Sequence, residues 1–233
     1  MAISKKYSRT YHYTFSPGTT NNDRIHHHYW DYLQQWDTIV HTEKLDGENT
    51  CLNQHGVFAR SHAATTIHPW ANYLKEKWHF IKNDLDNLEV FGENLYAIHS
   101  IRYEALEQHF YVFAVRQNDQ WLSWEEVKFY ADLLDFPVVP EIEIPFSPIE
   151  KKFQSSLIKE AQQRSKFQSI DADTQQACNM EGIVSRNAES FHINNFSSNV
   201  FKYVRAQHVK TDIHWRRNWK RAPLIWEHAP KNK

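Results

Sequence analysis

Residues 38–61, TIVHTEKLDGENTCLNQHGVFARS, carry the strongest structural signal in this 233-residue chain. Residues 38–44, 48–53 and 57–61 have the composition of strands, and Asn53-Gln54-His55-Gly56 has the composition of a hairpin turn. The stretch therefore predicts three short strands close together in space. The first of these strands ends in a lysine.

Lys44 stands two residues before the pair Asp46-Gly47. A lysine amine is a good nucleophile only when part of it is neutral, and its free pKa is about 10.4. A second cation or a divalent metal lowers that pKa, and an unshielded carboxylate raises it. Since Lys-x-Asp-Gly alone is also a common entry to a hairpin, a chemical role for Lys44 requires further cations and metal-binding acids elsewhere in the chain.

Three later stretches supply such groups. Glu93 ends a predicted strand over 88–93, and Glu181 precedes a glycine at the start of a predicted strand. Lys202 lies within a third predicted strand, over 199–205. Each of these is weak evidence alone, because acids beside turns and solvated strand lysines are ordinary features. Their order along the chain, after Lys44, is what makes the set specific.

The remaining elements mix helices and strands without βαβ alternation, which predicts an α+β fold with antiparallel sheets. Helical spacing of apolar residues predicts a helix over 69–82. Capping boxes predict two more helices, one from Ser123-Trp124-Glu125-Glu126 to about residue 135 and one from Ser147-Pro148-Ile149-Glu150 to about residue 168. Further strands are predicted over 110–115, 182–186 and 190–193.

Composition indicates one sizeable core in a protein of reducing compartments. Hydrophobic residues make up 41% of the chain, and the net charge is −1. Cys51 and Cys178 stand far apart, which suits neither a disulfide framework nor a zinc site and favours the cytoplasm. No stretch approaches the roughly 20 apolar residues of a membrane span, and the N-terminus lacks the apolar region of a signal peptide. We expect a single domain over 1–233.

This ordered set of motifs resembles the covalent nucleotidyltransferase superfamily of ATP-dependent DNA ligases, RNA ligases and mRNA capping enzymes. Within it the chain is most similar to RNA ligases, particularly the RNA ligase 2-like branch and its small bacterial members. The similarity is carried by Lys-x-Asp-Gly-x-Asn at 44–49, Gly-Glu-Asn-Leu-Tyr-Ala at 92–97, Glu-Gly-Ile-Val at 181–184, and Ser16-Pro17-Gly18-Thr19-Thr20 with Asp23-Arg24. The resemblance implies an adenylyltransferase fold, with antiparallel sheets flanking a nucleotide cleft.

The resemblance implies a role for each candidate residue on the nucleotide side. Lys44 would be the adenylylated nucleophile, Glu43 would lie beside the adenine edge, and Phe113 would stack on the adenine. Asp46 and Asn49 would organise the ribose or the hydrated metal.

It also implies the groups for the phosphates and the metal. Glu93 would accept a hydrogen bond from the ribose, and Glu181 would bind Mg²⁺ (or Mn²⁺) or its water shell, with Asp46 as a second metal candidate. Arg60 would contact the nucleotide or the 5′-phosphate end, and Lys202 would neutralise the α-phosphate. ATP would be the AMP donor.

One departure from the family pattern concerns the last motif, where members commonly carry two lysines one residue apart. Here Val200 and Val204 are the same-face neighbours of Lys202. Arg205 is the candidate for the second cation, although in a regular strand its side chain points to the opposite face.

Chain length favours RNA as the acceptor. DNA ligases and capping enzymes generally add an OB domain after the last motif, and the residues after Arg205 are too few for one. The expected reaction joins 5′-phosphate and 3′-hydroxyl RNA ends through lysyl-AMP and RNA-adenylate. A DNA ligase, a capping-type enzyme, and a non-catalytic RNA-end or nucleotide-binding protein on the same fold are the alternatives. A separate kinase or phosphatase could prepare the ends.

The C-terminal tail, about 206–233, alternates aromatic and basic residues. Arg205, Arg216, Arg217 and Lys220 could contact single-stranded RNA there. A helix that packs its tryptophans on the body, with solvated cations, explains the same pattern equally well.

Overall fold

The structure is a computed structural model that describes residues 5–206 and 218–227. Its helices are α1 Tyr29–Leu33, α2 Asn72–Ile81, α3 Trp124–Leu133 and α4 Glu150–Ala161. Its strands are β1 Tyr11–His12, β2 Ile39–Lys44, β3 Glu48–Asn53, β4 Gly56–Ala59, β5 Leu88–Asn94, β6 Ile101–Tyr103, β7 Phe110–Gln117, β8 Gln120–Trp121, β9 Ser169–Asp171, β10 Gly182–Asn187, β11 Phe191–His192 and β12 Val200–Val204. The predicted α+β class with antiparallel sheets is confirmed.

Two sheets make up most of this architecture. The lysine sheet has the strand order β1-β12-β10-β2, and the acid sheet has the order β11-β8-β7-β5-β3-β4. All pairings are antiparallel except that of β1 with β12. A small third sheet pairs β6 with β9.

The register of the lysine sheet brings the two predicted lysine strands onto one surface. Lys44 lies opposite Gly182, which lies opposite Val204 on its other side. Val184 lies opposite Lys202 in the same way. Since side chains on alternate positions share a face, Lys44 and Lys202 project from the same face of this sheet.

The other face of the lysine sheet packs on helices. Ile183, Phe201 and Tyr203 are buried there with Phe153 and Leu157 of α4. The alternation of these apolar residues with Lys202 and Gly182 is what fixes which face the lysines occupy.

The acid sheet contains the predicted hairpin and one irregularity that the sequence pattern did not predict. Asn53 pairs with Gly56, so residues 54 and 55 form a two-residue loop between β3 and β4. The register of β5 against β7 shifts between Phe91 and Gly92, which leaves Phe113 as the unpaired residue of a β-bulge.

The two sheets face each other across a shared apolar cluster. Val200 of the lysine sheet is buried together with Cys51, Phe91 and Ala114 of the acid sheet, and half-buried Val184 packs against this cluster. A larger cluster lies on the opposite face of the acid sheet, under α2 and α3. The inner faces of the two sheets therefore pack together through apolar side chains.

Of the two predicted helix capping boxes, the one at α3 is confirmed and the one at α4 is wrong. Ser123 caps α3, and Ser123 and Glu126 form the reciprocal capping box. At α4 the helix begins only at Glu150, and the N-cap Ile149 makes no side-chain capping bond. Ser147 instead accepts a hydrogen bond from the amide of Ile149 at 3.2 Å, which closes a turn ahead of the helix.

Several predicted boundaries also shift. The helix α4 ends at Ala161 and not near residue 168, because its apolar period of Phe153, Leu157 and Ala161 gives way to polar residues. The strand predicted over 190–193 is shortened to Phe191–His192, and a 3-10 turn over Ile193–Ser198 follows it. The strand predicted over 57–61 ends at Ala59.

Part of the C-terminal tail packs on the body in an extended form. The amide of Ile98 donates to the carbonyl of Lys220, and the amide of Ala222 donates to that of Tyr96. The Trp219 ring contacts Tyr96 in a tilted arrangement, at 5.9 Å between centroids. The predicted RNA contacts Arg216 and Arg217 lie outside the described residues. Among those residues, no helix is long and apolar enough to cross a membrane.

Gly182→Ala should destabilise the fold by about 3 kcal/mol, at the upper end of overpacking costs. A Cβ at this position would lie 1.9 Å from the backbone carbonyl oxygen of Tyr203, so β10 and β12 would have to separate. Urea unfolding followed by tryptophan fluorescence measures the loss. Ser190→Ala, in the exposed turn after β10, is the control and should stay within about 0.5 kcal/mol of the wild type. An unfolding midpoint for Gly182→Ala equal to that of the control would contradict the close approach of the two strands.

Candidate active site

The centre of the site is an ion pair between the last residue of β2 and the residue that precedes β10. Lys44 Nζ lies 2.6 Å from Glu181 Oε1, and the two side chains are 27% and 7% exposed. The antiparallel pairing of Lys44 with Gly182 places these two groups together. The fold thus brings Lys44 and Glu181 into contact, although they are 137 positions apart in the sequence.

The surrounding carboxylates hold Lys44 in its charged form. Burial alone lowers the pKa of Lys44, but the charges of Glu181, Glu93 and Asp46 together outweigh it and raise the pKa. The amine is therefore an ammonium ion in this structure. A reaction at Lys44 requires that the carboxylates first be neutralised or displaced.

Glu93 enters the site from the acid sheet. It lies opposite Asn49 in the register of β3 and β5, and its Oε1 accepts a hydrogen bond from the amide of Gly47 at 3.1 Å. Burial raises the pKa of Glu93 to about 8, and the charges of Glu181 and Asp46 add to that rise. Lys44 and the Gly47 amide oppose it.

Asn49 offers an oxygen to a ligand. Its side-chain oxygen Oδ1 is buried and makes no hydrogen bond within the described residues. Because a buried polar atom without a partner is costly, an oxygen of this kind beside Glu93 suits a ligand hydroxyl or a hydrated cation. The position agrees with the role that the resemblance implies for Asn49.

Asp46 has a structural role in the turn after Lys44, and its roles at the ribose and the metal remain predictions. Its Oδ2 accepts hydrogen bonds from the amides of Ser100 and Ile101, both at 2.8 Å, and its own amide donates to the hydroxyl of Tyr103 at 2.9 Å. His99 Nδ1 lies 4.0 Å from Oδ1. Asp46 thus ties the turn after Lys44 to the segment 99–103.

Lys202 lies on the same face as Lys44 and is influenced by it. Burial lowers the pKa of Lys202 to about 8, and the positive charge of Lys44 lowers it further. Asp23 and Glu181 oppose this shift. Two cations that share one face of a sheet form a natural site for a phosphate group.

Arg60, and not Arg205, supplies the third positive charge near Lys202. Arg60 is exposed in the turn after β4, and its charge contributes to the lowered pKa of Lys202. Arg205 lies beside Cys178, where its charge lowers the thiol pKa against the rise caused by burial, and its buried Nε makes no hydrogen bond within the described residues. The proposal of Arg205 as the second cation therefore finds no support in the geometry.

Two further predicted residues flank this centre. Glu43 points to the other face of β2 and is 2% exposed; burial raises its pKa to about 7, against the Ser165 hydroxyl and Lys166. Phe113 is half-buried in the β-bulge, and Tyr7 meets its ring edge-on at 5.1 Å between centroids. The bulge changes the direction in which the Phe113 side chain points. Gly92, in the middle of β5, is the sequence feature that could have indicated the bulge.

Sequence reasoning missed several residues that complete the site. Tyr7 lies against Phe113, and Asp23 lies 3.6 Å from Lys202 Nζ. Tyr103 and His99 hold Asp46, as described above. Asp23 belongs to a stretch that carries the resemblance, but no role was predicted for it, and no local pattern marks Tyr7, His99 or Tyr103 as site residues. Among the described residues, no cluster of three or more His, Cys, Asp or Glu side chains is arranged to hold a metal ion.

Solved structures share this fold at low identity. A protein from Aquifex aeolicus assigned as an ATP-dependent DNA ligase has a TM-score of 0.51 and 15% identity over 86% of this chain and 50% of its own. An archaeal ATP-dependent RNA ligase has a TM-score of 0.50 and 13% identity over 88% of this chain and 49% of its own. An RNA ligase variant from Naegleria gruberi, solved with ATP and Mn, has a TM-score of 0.48 and 17% identity over 86% and 60%. The chain thus spans between about half and 60% of the length of these proteins.

A sequence profile provides the family assignment that structural likeness at this level cannot. No curated protein matches the chain significantly. The profile of the RNA ligase family, however, matches residues 37–204, and this range contains Lys44, Glu93, Glu181 and Lys202. The chain therefore belongs to the RNA ligase family.

Proposed function

We propose that this protein is an ATP-dependent RNA ligase that joins 5′-phosphate and 3′-hydroxyl ends through a covalent lysyl-AMP. The observation that carries the proposal is the pairing of Lys44 with Glu181, on the face that also presents Lys202. Membership of the RNA ligase family supports the same chemistry. A nucleophile, a carboxylate and a phosphate-binding cation are the groups that the first step needs.

In the first step, the Lys44 amine attacks the α-phosphorus of ATP. A nitrogen–phosphorus bond forms, and the bond to the leaving pyrophosphate breaks. Lys44 must lose its proton before or during the attack, since it is an ammonium ion in the ligand-free site. The incoming phosphate meets Lys202 on the same face, and Lys202 stabilises the charge that develops there.

The acid sheet would bind the nucleoside. Glu93 and the Asn49 side-chain oxygen accept hydrogen bonds from the ribose, and the Phe113 ring stacks on the base. Glu43, on the reverse face of β2, supports the adenine edge. These contacts hold the α-phosphorus within reach of Lys44, which is the main contribution that a protein makes to phosphoryl transfer.

The residues present fit a hydrated Mg²⁺ or Mn²⁺. Glu181 and Asn49 offer oxygen ligands, and Mg²⁺ is usually bound by one or two carboxylates together with waters and substrate phosphates, so a three-residue cluster is not required. Asp46 is the second carboxylate. A divalent cation bound there supplies positive charge to the phosphates and neutralises the carboxylate that keeps Lys44 protonated.

Two further steps complete the reaction. The 5′-phosphate at one RNA end attacks the phosphorus of lysyl-AMP. The nitrogen–phosphorus bond breaks, which releases Lys44 and leaves an RNA-adenylate. A 3′-hydroxyl then attacks that activated phosphate, the phosphodiester forms, and AMP leaves. Exposed Arg60 and Lys220 are the described cations placed to contact the RNA. The partner that prepares these ends would be an RNA kinase or phosphatase.

Lys44→Ala should abolish covalent labelling by ATP that carries label in its α-phosphate, because Lys44 is the proposed nucleophile and Lys202, the other lysine on this face, is assigned to the phosphate. Denaturing gel electrophoresis measures the label. The control is Lys159→Ala, on the exposed side of α4, which should label like the wild type. Persistent label on Lys44→Ala would overturn the assignment of the nucleophile.

A chase of the labelled wild type separates the possible acceptors. RNA with a 5′-phosphate should remove the label faster than DNA with the same end. Faster transfer to DNA would instead favour a DNA ligase, and label from GTP alone would favour capping-type chemistry. Label that transfers to neither acceptor would contradict the ligase proposal while leaving lysyl-AMP formation intact.

Glu43→Gln should stabilise the fold at neutral pH and weaken the use of ATP. The folded protein keeps a proton on Glu43 up to about pH 7, whereas an ordinary glutamate releases it near 4.5. The stabilisation from the neutral carboxyl group is therefore complete below pH 4.5 and is lost as the pH rises through 7, and glutamine, which carries no charge, avoids that loss. The difference amounts to roughly 3 kcal/mol at most.

Urea unfolding at pH 5 and at pH 8 tests the predicted direction of this change in stability with pH. The stability gain of Glu43→Gln over the wild type should be larger at pH 8, and KM for ATP should rise by about 10-fold if Glu43 supports the adenine edge. The exposed control Glu76→Gln, on α2, should show a difference of less than about 0.5 kcal/mol at both values. A gain that is larger at pH 5 would contradict the burial of an ionisable Glu43.

A further inference from the structure

The strand that carries Lys202 is held along its outer edge by the segment 11–24, which precedes the family-matched region. His12 pairs directly with Lys202 in the parallel ladder of β1 and β12. The amide of Tyr13 donates to the carbonyl of Lys202 at 2.9 Å, and the amide of Gly18 donates to that of Val204 at 2.9 Å. The profile match begins at residue 37, so these contacts lie upstream of the matched region.

Within the segment 11–24, Asp23 is the residue whose carboxylate lies next to Lys202. Its Oδ1 lies 3.6 Å from Lys202 Nζ and 3.3 Å from His12 Nε2. Its Oδ2 accepts hydrogen bonds from the amide of Thr20 at 3.0 Å and from the Thr20 hydroxyl at 2.9 Å. The turn is closed by the amide of Asp23, which donates to the carbonyl of Thr20. Both carboxylate oxygens are therefore fixed, and one of them faces the ammonium group.

His12 connects this carboxylate to the strand itself. It is 1% exposed, and its Nδ1 lies 2.9 Å from Ser16 Oγ. The amide of Val204 donates to the same Oγ at 2.9 Å. With its proton on Nε2, His12 presents a positive N–H edge to Asp23 Oδ1 at 3.3 Å, and its Nδ1 can accept a hydrogen bond from the Ser16 hydroxyl.

His12 takes part in this arrangement as a neutral group. Burial lowers the pKa of His12 to about 4, the charge of Lys202 lowers it further, and Asp23 opposes both. Asp23 is thus left as the anion that faces Lys202 from this segment. Lys44 and Arg60 are the nearby cations, and their charges lower the pKa of Lys202, whereas the charge of Asp23 raises it.

We propose that Asp23 is a positioning residue, which holds the Lys202 ammonium group on the cleft face so that it meets the α-phosphate of ATP. The proposal rests on the proposed ligase function. Val200 and Val204 flank Lys202 on the same face and cannot orient it by charge. The fixed carboxylate of Asp23 does so from the neighbouring segment. Asp23 touches no reacting atom and acts only through Lys202.

A positioning role for Asp23 predicts a split between kcat and KM in lysyl-AMP formation. Asp23→Asn should lower the single-turnover rate at saturating ATP by about 10-fold, because Lys202 is no longer held where charge develops. KM for ATP should stay the same or fall by roughly 3-fold, since the variant also removes a negative charge near the phosphates. Asp23→Glu, which keeps the carboxylate, should recover the rate to within about 3-fold of the wild type.

The experiment is a double-mutant cycle with Lys202→Ala, measured as the rate of label transfer from α-labelled ATP to Lys44 in the full chain. Asp23→Asn should have no further effect in the Lys202→Ala background, because both changes remove the same interaction. Asp31→Asn, which alters an exposed carboxylate on α1, is the control and should match the wild type. Urea unfolding of each variant identifies any that fails to fold.

Three results would overturn the role of Asp23. One is a folded Asp23→Asn whose rate equals that of Asp31→Asn; another is an effect of full size in the Lys202→Ala background. The third is a rise in KM at unchanged rate, which would indicate a purely structural contribution. Failure of the proposed function is distinguishable, because the wild type itself would then take no label from ATP, and the role of Asp23 would fall with it.

Discussion

The ion pair between Lys44 and Glu181 is the contact on which the rest of the site depends. It exists because antiparallel pairing places the last residue of β2 opposite Gly182, the residue after Glu181. Burial alone lowers the pKa of Lys44, and the charges of Glu181, Glu93 and Asp46 outweigh that effect and raise it. In the ligand-free protein Lys44, the proposed nucleophile, is therefore held in the charged form, which does not react as a nucleophile. Whatever neutralises Glu181 also releases Lys44, so ligand binding and activation of the amine are coupled in a single contact.

The site is divided between two sheets, and neither is sufficient alone. The lysine sheet presents Lys44 and Lys202, and the acid sheet presents Glu93 and Asn49. Their separation is set by the apolar cluster in which Val200 of one sheet is buried against residues of the other. Because protein interiors are close-packed, this cluster transmits changes in volume to the polar groups beside it. The hydrophobic packing between the sheets is thus part of the nucleotide-binding geometry.

The sequence predicted the elements better than their relation in space. Strand β3 was predicted at its observed bounds. Lys44 was recognisable because it stands shortly before Asp46-Gly47, and Glu181 because it directly precedes Gly182. The registers that bring them together depend on which faces are buried, and a single segment does not reveal this. The α4 cap was wrong because Ser147 closes its own turn, an option that the capping-box pattern does not exclude. The bulge at Phe113 came from pairing between strands and could be suspected only from Gly92.

The departure from the family at the last motif also gains a physical explanation. The charge of Arg205 lowers the pKa of the Cys178 thiol against the rise caused by burial, whereas Lys44 and Arg60 are the cations whose charges lower the pKa of Lys202. Lys202 instead stands between positive charges from Lys44 and Arg60 and the fixed carboxylate of Asp23. With the Asp23 carboxylate beside it, Lys202 would be oriented without a second lysine on the same face. This orientation would depend on the segment 11–24, which carries Asp23. The segment that would orient Lys202 therefore lies upstream of the family-matched region.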